Sequence, residues 1–232
     1  MFKDELKDWY KIAAKGKKDE SIKLDKNFKN HLVKPCSMIM MIGPTGAGKT
    51  TALLEFIHRK NDAFHRIIIF SGATTDEPLL NLLEKHIDGI ELIDNADELP
   101  ELTDMNDEDK KLEKLIVFDD IINLPKKQLV KIQKWFNSSR KFGFTNIAMC
   151  QNYTDAPIQM RRNTMYFVLF RLNDMNTIHQ ILKNHNNNGD DKDDVKQAYF
   201  ESTSKPKNFF TLDLTPNSQY RYRHNFTDII SL

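Results

Sequence analysis

Residues Gly43-Pro44-Thr45-Gly46-Ala47-Gly48-Lys49-Thr50 fit the spacing Gly, four residues, Gly-Lys-Thr. Glycines let the backbone turn so that successive N–H groups point inward. Such a loop cradles a phosphate at the positive end of the helix that follows. In that arrangement the Lys49 ammonium reaches the β- and γ-oxygens of a nucleoside triphosphate, and the Thr50 hydroxyl ligates Mg²⁺. The expected nucleotide contacts are therefore Gly43, Pro44, Thr45, Gly46, Ala47, Gly48, Lys49, Thr50 and Thr51, with a nucleoside triphosphate and Mg²⁺ as ligands. A second segment, Leu115-Ile116-Val117-Phe118-Asp119-Asp120, is an apolar run that ends in two carboxylates. Asp119 is placed to hold Mg²⁺, and Asp120 to orient or deprotonate a water that attacks the γ-phosphate. The carboxylate pair favours hydrolysis over phosphoryl transfer to a substrate hydroxyl. A third run, residues 145–151 (TNIAMCQ), ends in Gln151, whose amide suits the attacking water or the γ-phosphate. Arg161-Arg162 follows, and either guanidinium suits transition-state charge, in its own subunit or in a neighbouring one.

These side chains need a scaffold that brings several strand ends together. Residues 36–42 (CSMIMMI) are continuously apolar, as in a strand covered on both faces. Further short β-like runs lie at 67–70, 90–93, 115–118, 146–150 and 165–169. Helical spacing connects them. Residues 49–58 carry Leu53, Phe56 and Ile57. Asp76 suits the cap of a helix with Leu79, Leu82, Leu83 and Ile87. Residues 125–141 place Leu129, Ile132 and Phe136 on one face. Alternating strands and helices predict an α/β fold, with a mostly parallel sheet flanked by helices on both faces. Residues 208–225 alternate enough to add one or two antiparallel edge strands. Residues 94–114 hold nine acids against three lysines and read as a solvated loop with one short helix. Residues 184–194 (NHNNNGDDKDD) read as a surface loop. Leu6, Trp9, Tyr10 and Ala13 suggest a short amphipathic helix near the amino end. The expected organisation is an extension at 1–34, a core at 35–212 and a tail or edge strand at 213–232.

The chain has 232 residues, 34 Lys and Arg against 33 Asp and Glu, and a net charge of +1. That length suits one α/β domain. The charge balance provides no whole-molecule attraction to DNA or to anionic lipid. No apolar run approaches the roughly 20 residues of a membrane span, and the charged amino end carries no secretory signal. Composition thus points to a soluble, intracellular protein. Cys36 and Cys150 are too few for a disulfide framework, and the strands place them at opposite sheet edges.

The set GPTGAGKTT, LIVFDD, SRKFGFTNIAMCQNYTDAP and MRRN resembles the poxvirus-type genome-packaging ATPases of the FtsK–HerA superfamily. Arg140, Phe142, Gln151, Tyr153, Pro157, Arg161 and Asn163 carry the more specific part of the likeness, which covers about residues 34–172. The resemblance implies a RecA-like P-loop NTPase core assembled as a ring, usually a hexamer, around double-stranded DNA. ATP hydrolysis then drives viral DNA into a preformed capsid. The capsid or a portal-like vertex protein is an implied partner, and the host cytoplasm, with association to the virion, the implied location. It also makes Arg161 the preferred arginine finger, and Lys49, Asp120, Gln151 and Arg161 the catalytic set. A ring needs few pore-facing cations per subunit, so near-neutral charge is compatible with it. Lys127, Lys131, Lys134 and Lys141 form a polar stripe, either a solvated face or one turned to DNA or a partner. The alternatives are a P-loop nucleoside or small-molecule kinase and a nucleotide-regulated, non-catalytic scaffold.

Overall fold

The computed structural model describes residues 22–61, 63–72, 89–104, 111–185, 189–216 and 218–232. The amphipathic segment around Trp9 and the helix expected after Asp76 lie outside the described residues.

Among the described residues, nine strands form one sheet: β1 Met38–Ile42, β2 Arg66–Ser71, β3 Ile90–Ile93, β4 Lys114–Asp119, β5 Phe144–Cys150, β6 Tyr166–Leu169, β7 Phe210–Asp213, β8 Tyr222–His224 and β9 Asp228–Ile230. Their order is β3-β2-β4-β5-β1-β6-β7-β8-β9. Pairings from β3 through β6 are parallel, and those from β6 to β9 are antiparallel. Three antiparallel strands thus close this side of the sheet, where the sequence suggested one or two.

Period-two alternation explains the continuous apolar runs. On one face, Met40, Ile68, Phe70, Ile116 and Phe118 pack with residues of four helices. These are α2 (Lys126–Ser138), α3 (Ile158–Asn163), α4 (Met175–His185) and α5 (Lys192–Ser202). On the other face, Ile39, Met41, Ile67, Ile69 and Val117 meet Leu53, Phe56 and Ile57 of α1, Lys49–Lys60. Helices therefore cover both faces, as expected.

Three local readings change. The acidic stretch is not simply solvated: Ala96, Leu99 and Leu102 are buried, and so are Glu113 and Lys114 at the start of β4. Lys131 donates to the carbonyls of Asp97 (3.2 Å) and Leu99 (2.8 Å), and Lys127 pairs with Asp97. Much of the α2 lysine stripe therefore holds down this segment. Second, residues 192–194 are not loop but the first turn of α5, with the Asp191 side chain accepting from Asp193 N–H. Third, Cys36 sits in a turn before β1 with φ +55°, so the strand begins two residues later than expected. Cys36 and Cys150 lie at opposite ends of the neighbouring strands β1 and β5. Burial pushes their thiols up, to about 11 and about 12.

The far end of α1 is anchored by a buried polar cluster. Lys60, fully buried, donates to Asp25 Oδ2 at 2.9 Å and to both Glu113 oxygens at 2.9 and 3.0 Å. Thr145 adds a 3.0 Å bond to Glu113 Oε1. Burial raises the Glu113 pKa, because it disfavours the charged form more than Lys60 favours it. Asp25, also facing His31, is held below the usual carboxylate range; burial opposes this, but the Lys60 bond and charge win. The carboxyl-terminal strands join the same body through the buried Arg223, which donates to Leu32 O at 3.3 Å. The expected boundary at 212/213 falls inside β7.

Candidate active site at the carboxyl edge of the sheet

The strand order brings the motif ends together. β5 lies between β1 and β4, so the phosphate loop after β1, Asp119 at the end of β4 and Gln151 just past β5 emerge at one edge. Gly43 N–H continues the ladder to Cys150 O at 3.1 Å. Gly46 (φ +77°) and Gly48 (φ +108°) hold left-handed backbone, which a side chain would strain. Gly48 is also the cap from which α1 starts, so the loop delivers its amides to a helix amino end.

A cleft of about 330 Å3 is lined by Thr45, Gly46, Gly48, Lys49, Thr50, Thr51, Asp119, Asp120, Met149, Gln151 and Lys207. Lys49 Nζ donates to the carbonyls of Gly43 (2.7 Å) and Pro44 (3.2 Å) of the loop itself. Thr50 and Asp119 offer a hydroxyl and a carboxylate in the same cleft, hard oxygen donors of the kind Mg²⁺ takes. Asp120 adopts a left-handed conformation (φ +52°, ψ +47°), uncommon for a residue with a side chain. Gly72 N–H donates to Asp119 O at 3.0 Å, tying the end of β2 to this turn. A wider surface depression, about 550 Å3 around Asn30, Glu55 and Arg59, contains none of these residues.

Arg161 is not brought to the cleft within this chain. Its guanidinium lies over the Tyr153 ring, 4.7 Å from the centroid, with Nε buried and without a partner among the described residues. Tyr153 in turn meets His185 Nε2 through its hydroxyl at 3.0 Å. Burial, aided by the Arg161 charge, lowers the His185 pKa to about 4. Arg162 beside it is exposed, and Asn163 donates to Asn137 of α2 at 2.9 Å.

A profile for the family described as Poxvirus A32 protein matches residues 25–210. The chain belongs to the poxvirus A32 family. That is the kinship suggested by the Gln151–Tyr153 and Arg161–Asn163 blocks, which the fold now joins through one cation–π contact. Solved structures similar to this A32-family chain include the genome packaging NTPase B204 from Sulfolobus turreted icosahedral virus 2 in complex with sulfate. It is 14% identical with a TM-score of 0.57, over 86% of this chain and 100% of that one. The same NTPase with ATP-gammaS gives 14% identity and a TM-score of 0.56, over 84% and 98%. B204, the DNA-packaging ATPase from Sulfolobus Turreted Icosahedral Virus, gives 13% and 0.53, over 83% and 98%. At such identities the likeness is one of fold. Comparison with curated protein sequences gives no match.

Lys207, which lines the cleft, and Gly72, which supports the Asp119–Asp120 turn beside it, were not read from the sequence. Gly72 has only its position after an apolar run as a signal. Lys207 lies far along the chain, and its only local signal is the turn-like Lys-Pro-Lys-Asn at 205–208.

Proposed function

We propose that this protein is a Mg²⁺-dependent ATPase that drives viral double-stranded DNA into a preformed capsid as a homo-oligomeric ring, with a hexamer favoured. The observation that supports it most is one cleft lined by Lys49, Thr50, Asp119, Asp120 and Gln151. Loop amides and Lys49 bind the β- and γ-phosphates, which requires the ammonium to leave the Gly43 and Pro44 carbonyls. Thr50 and Asp119 would hold Mg²⁺, which when bound neutralises phosphate charge. Asp120 orients the attacking water and takes its proton, and Gln151 hydrogen-bonds the water or the γ-phosphate. Arg161 serves the neighbouring subunit's site, with the Tyr153 ring as its resting platform. Residues 35–232 form the ATPase core, whose sheet runs through to β9, with 1–34 as an extension. The capsid or a portal-like vertex protein receives the ring, in the host cytoplasm and in association with the virion.

Asp120→Asn tests the assignment. ATP turnover is expected to fall about 10²- to 10⁴-fold, the usual worth of a general base, with nucleotide affinity retained. Undiminished turnover removes Asp120 from the mechanism. Rings mixed from wild-type and Arg161→Ala subunits test the finger. A loss merely proportional to mutant content removes the role in trans.

A further inference from the structure

The turn between α5 and β7 crosses the phosphate loop. Asn208 N–H closes it onto Lys205 O at 3.3 Å, with Pro206 and Lys207 between. Lys207 has φ +67°. Proline followed by a positive φ is the arrangement of a type II turn, whose third position favours Gly or Asn. A lysine there strains the backbone, and Lys207 is exposed, so it buries no apolar side chain in return. It makes no ion pair or side-chain hydrogen bond among the described residues. The turn is nonetheless firmly held. Thr203 Oγ1 donates to Tyr199 O at 2.9 Å, and Phe209 N–H donates to Asn225 Oδ1 at 3.0 Å.

What the strained position does achieve is proximity to the loop. A Cβ on Gly48 would stand 3.1 Å from Lys207 Cβ and 3.2 Å from its Cα and Cγ. Lys207 lines the cleft that holds Thr50 and Asp119. It also lines a neighbouring groove of about 440 Å3, which shares Thr45 and Gly46 with the cleft and adds Ala47 and Arg171. Lys207 therefore stands at the border between the cleft and that groove. We propose that Lys207 is a second nucleotide-binding lysine, which neutralises the phosphate chain of a nucleoside di- or triphosphate as it leaves the loop toward the groove. The proposal rests on the reading of the cleft as a nucleotide site. A backbone cost is tolerated at this position for the sake of the cation.

Titration of ADP with Mg²⁺ into Lys207→Gly, Lys207→Arg, Lys49→Ala and Lys192→Ala tests it. Lys192 is an exposed lysine on α5 that does not line the cleft. Lys207→Gly suits the positive φ, so the free protein should melt at or above the wild-type temperature. Its ADP affinity should fall about tenfold, or about 1.4 kcal/mol. Lys207→Arg should stay within about threefold of wild type, as a charge contact allows, and Lys192→Ala should be unchanged. Wild-type ADP affinity in Lys207→Gly, with affinity lost in Lys49→Ala, overturns the proposal and leaves the cleft standing. An equal loss in Lys192→Ala also overturns it, because general surface charge would then explain the effect. Wild-type affinity in Lys49→Ala instead overturns the reading of the cleft itself.

Discussion

Gly72→Ala probes how tightly the paired carboxylates are positioned. Gly72 has no left-handed requirement, so alanine is acceptable to the backbone itself; the obstacle is space. A methyl group there would overlap the Asp120 carbonyl oxygen, and would stand 3.2 Å from the Asp120 carbonyl carbon and from Leu124 Cδ2. Leu124 can rotate away, but the Asp120 oxygen belongs to the main chain. The two segments cannot simply part, because Gly72 N–H is bonded to Asp119 O at 3.0 Å. Restoring an ordinary carbon–oxygen contact of about 3.3 Å shifts the Asp119–Asp120 turn by about 1 Å. A displacement of that size at a reacting centre costs about 10²-fold in rate. Overpacking of this kind costs about 1–3 kcal/mol of stability, which a domain of this size survives. Steady-state phosphate release should therefore fall about 10²-fold, while ADP affinity, set by the phosphate loop and Lys207, stays within a few-fold of wild type. A Gly72→Ala protein that hydrolyses ATP at the wild-type rate would refute the positional argument, and with it the importance of this contact.

Two further outcomes follow from the buried cluster. His31 is fully buried, its Nδ1 accepts Val33 N–H at 3.0 Å, and burial lowers its pKa to about 4. Its folded pKa lies below its unfolded value, so the unfolded chain binds more protons between about pH 6.5 and 4. The His31 contribution is complete above pH 6.5 and is lost as pH falls through that window. Urea unfolding at pH 7 and pH 5 should show wild type losing about 2 kcal/mol more than His31→Gln, a comparison that keeps Asp25, Lys60, Glu113 and Arg223 common to both. Equal losses would show that His31 is already protonated in the fold. Lys60→Met leaves Asp25 and Glu113 facing each other without their cation, and should cost about 3–5 kcal/mol in urea unfolding. Adding Glu113→Gln should restore part of that loss; if it does not, the pair is not what makes Lys60 necessary.

Local motifs were legible because their information is contiguous. Glycines at 43, 46 and 48 shape the phosphate loop within one short stretch, and the apolar runs at 67–70, 115–118 and 146–150 need only their own period to declare strands. What went unread depended on partners distant in sequence. Glu113 and Lys114 look like the end of a solvated acidic segment until Lys60 and Thr145 close over Glu113. Helix α5 has a regular buried stripe, Val195, Ala198, Tyr199 and Ser202, but its polar first turn, residues 192–194, reads as the end of a loop.

The amino-acid sequence alone determined the residue types of the proposed chemistry: a loop suited to phosphate, oxygen donors suited to Mg²⁺, and a carboxylate and amide suited to a water. Tertiary structure decided their company. Strand order places β5 between β1 and β4 and so brings Gln151 to the cleft, a matter of hydrogen-bonded neighbours that no local pattern encodes. It also turns Arg161 onto Tyr153 rather than into its own site, and carries Lys207 across the loop. The physical reason is the range of the forces involved. Backbone conformation answers to adjacent residues, whereas packing and charge answer to whatever the folded chain brings within a few ångströms.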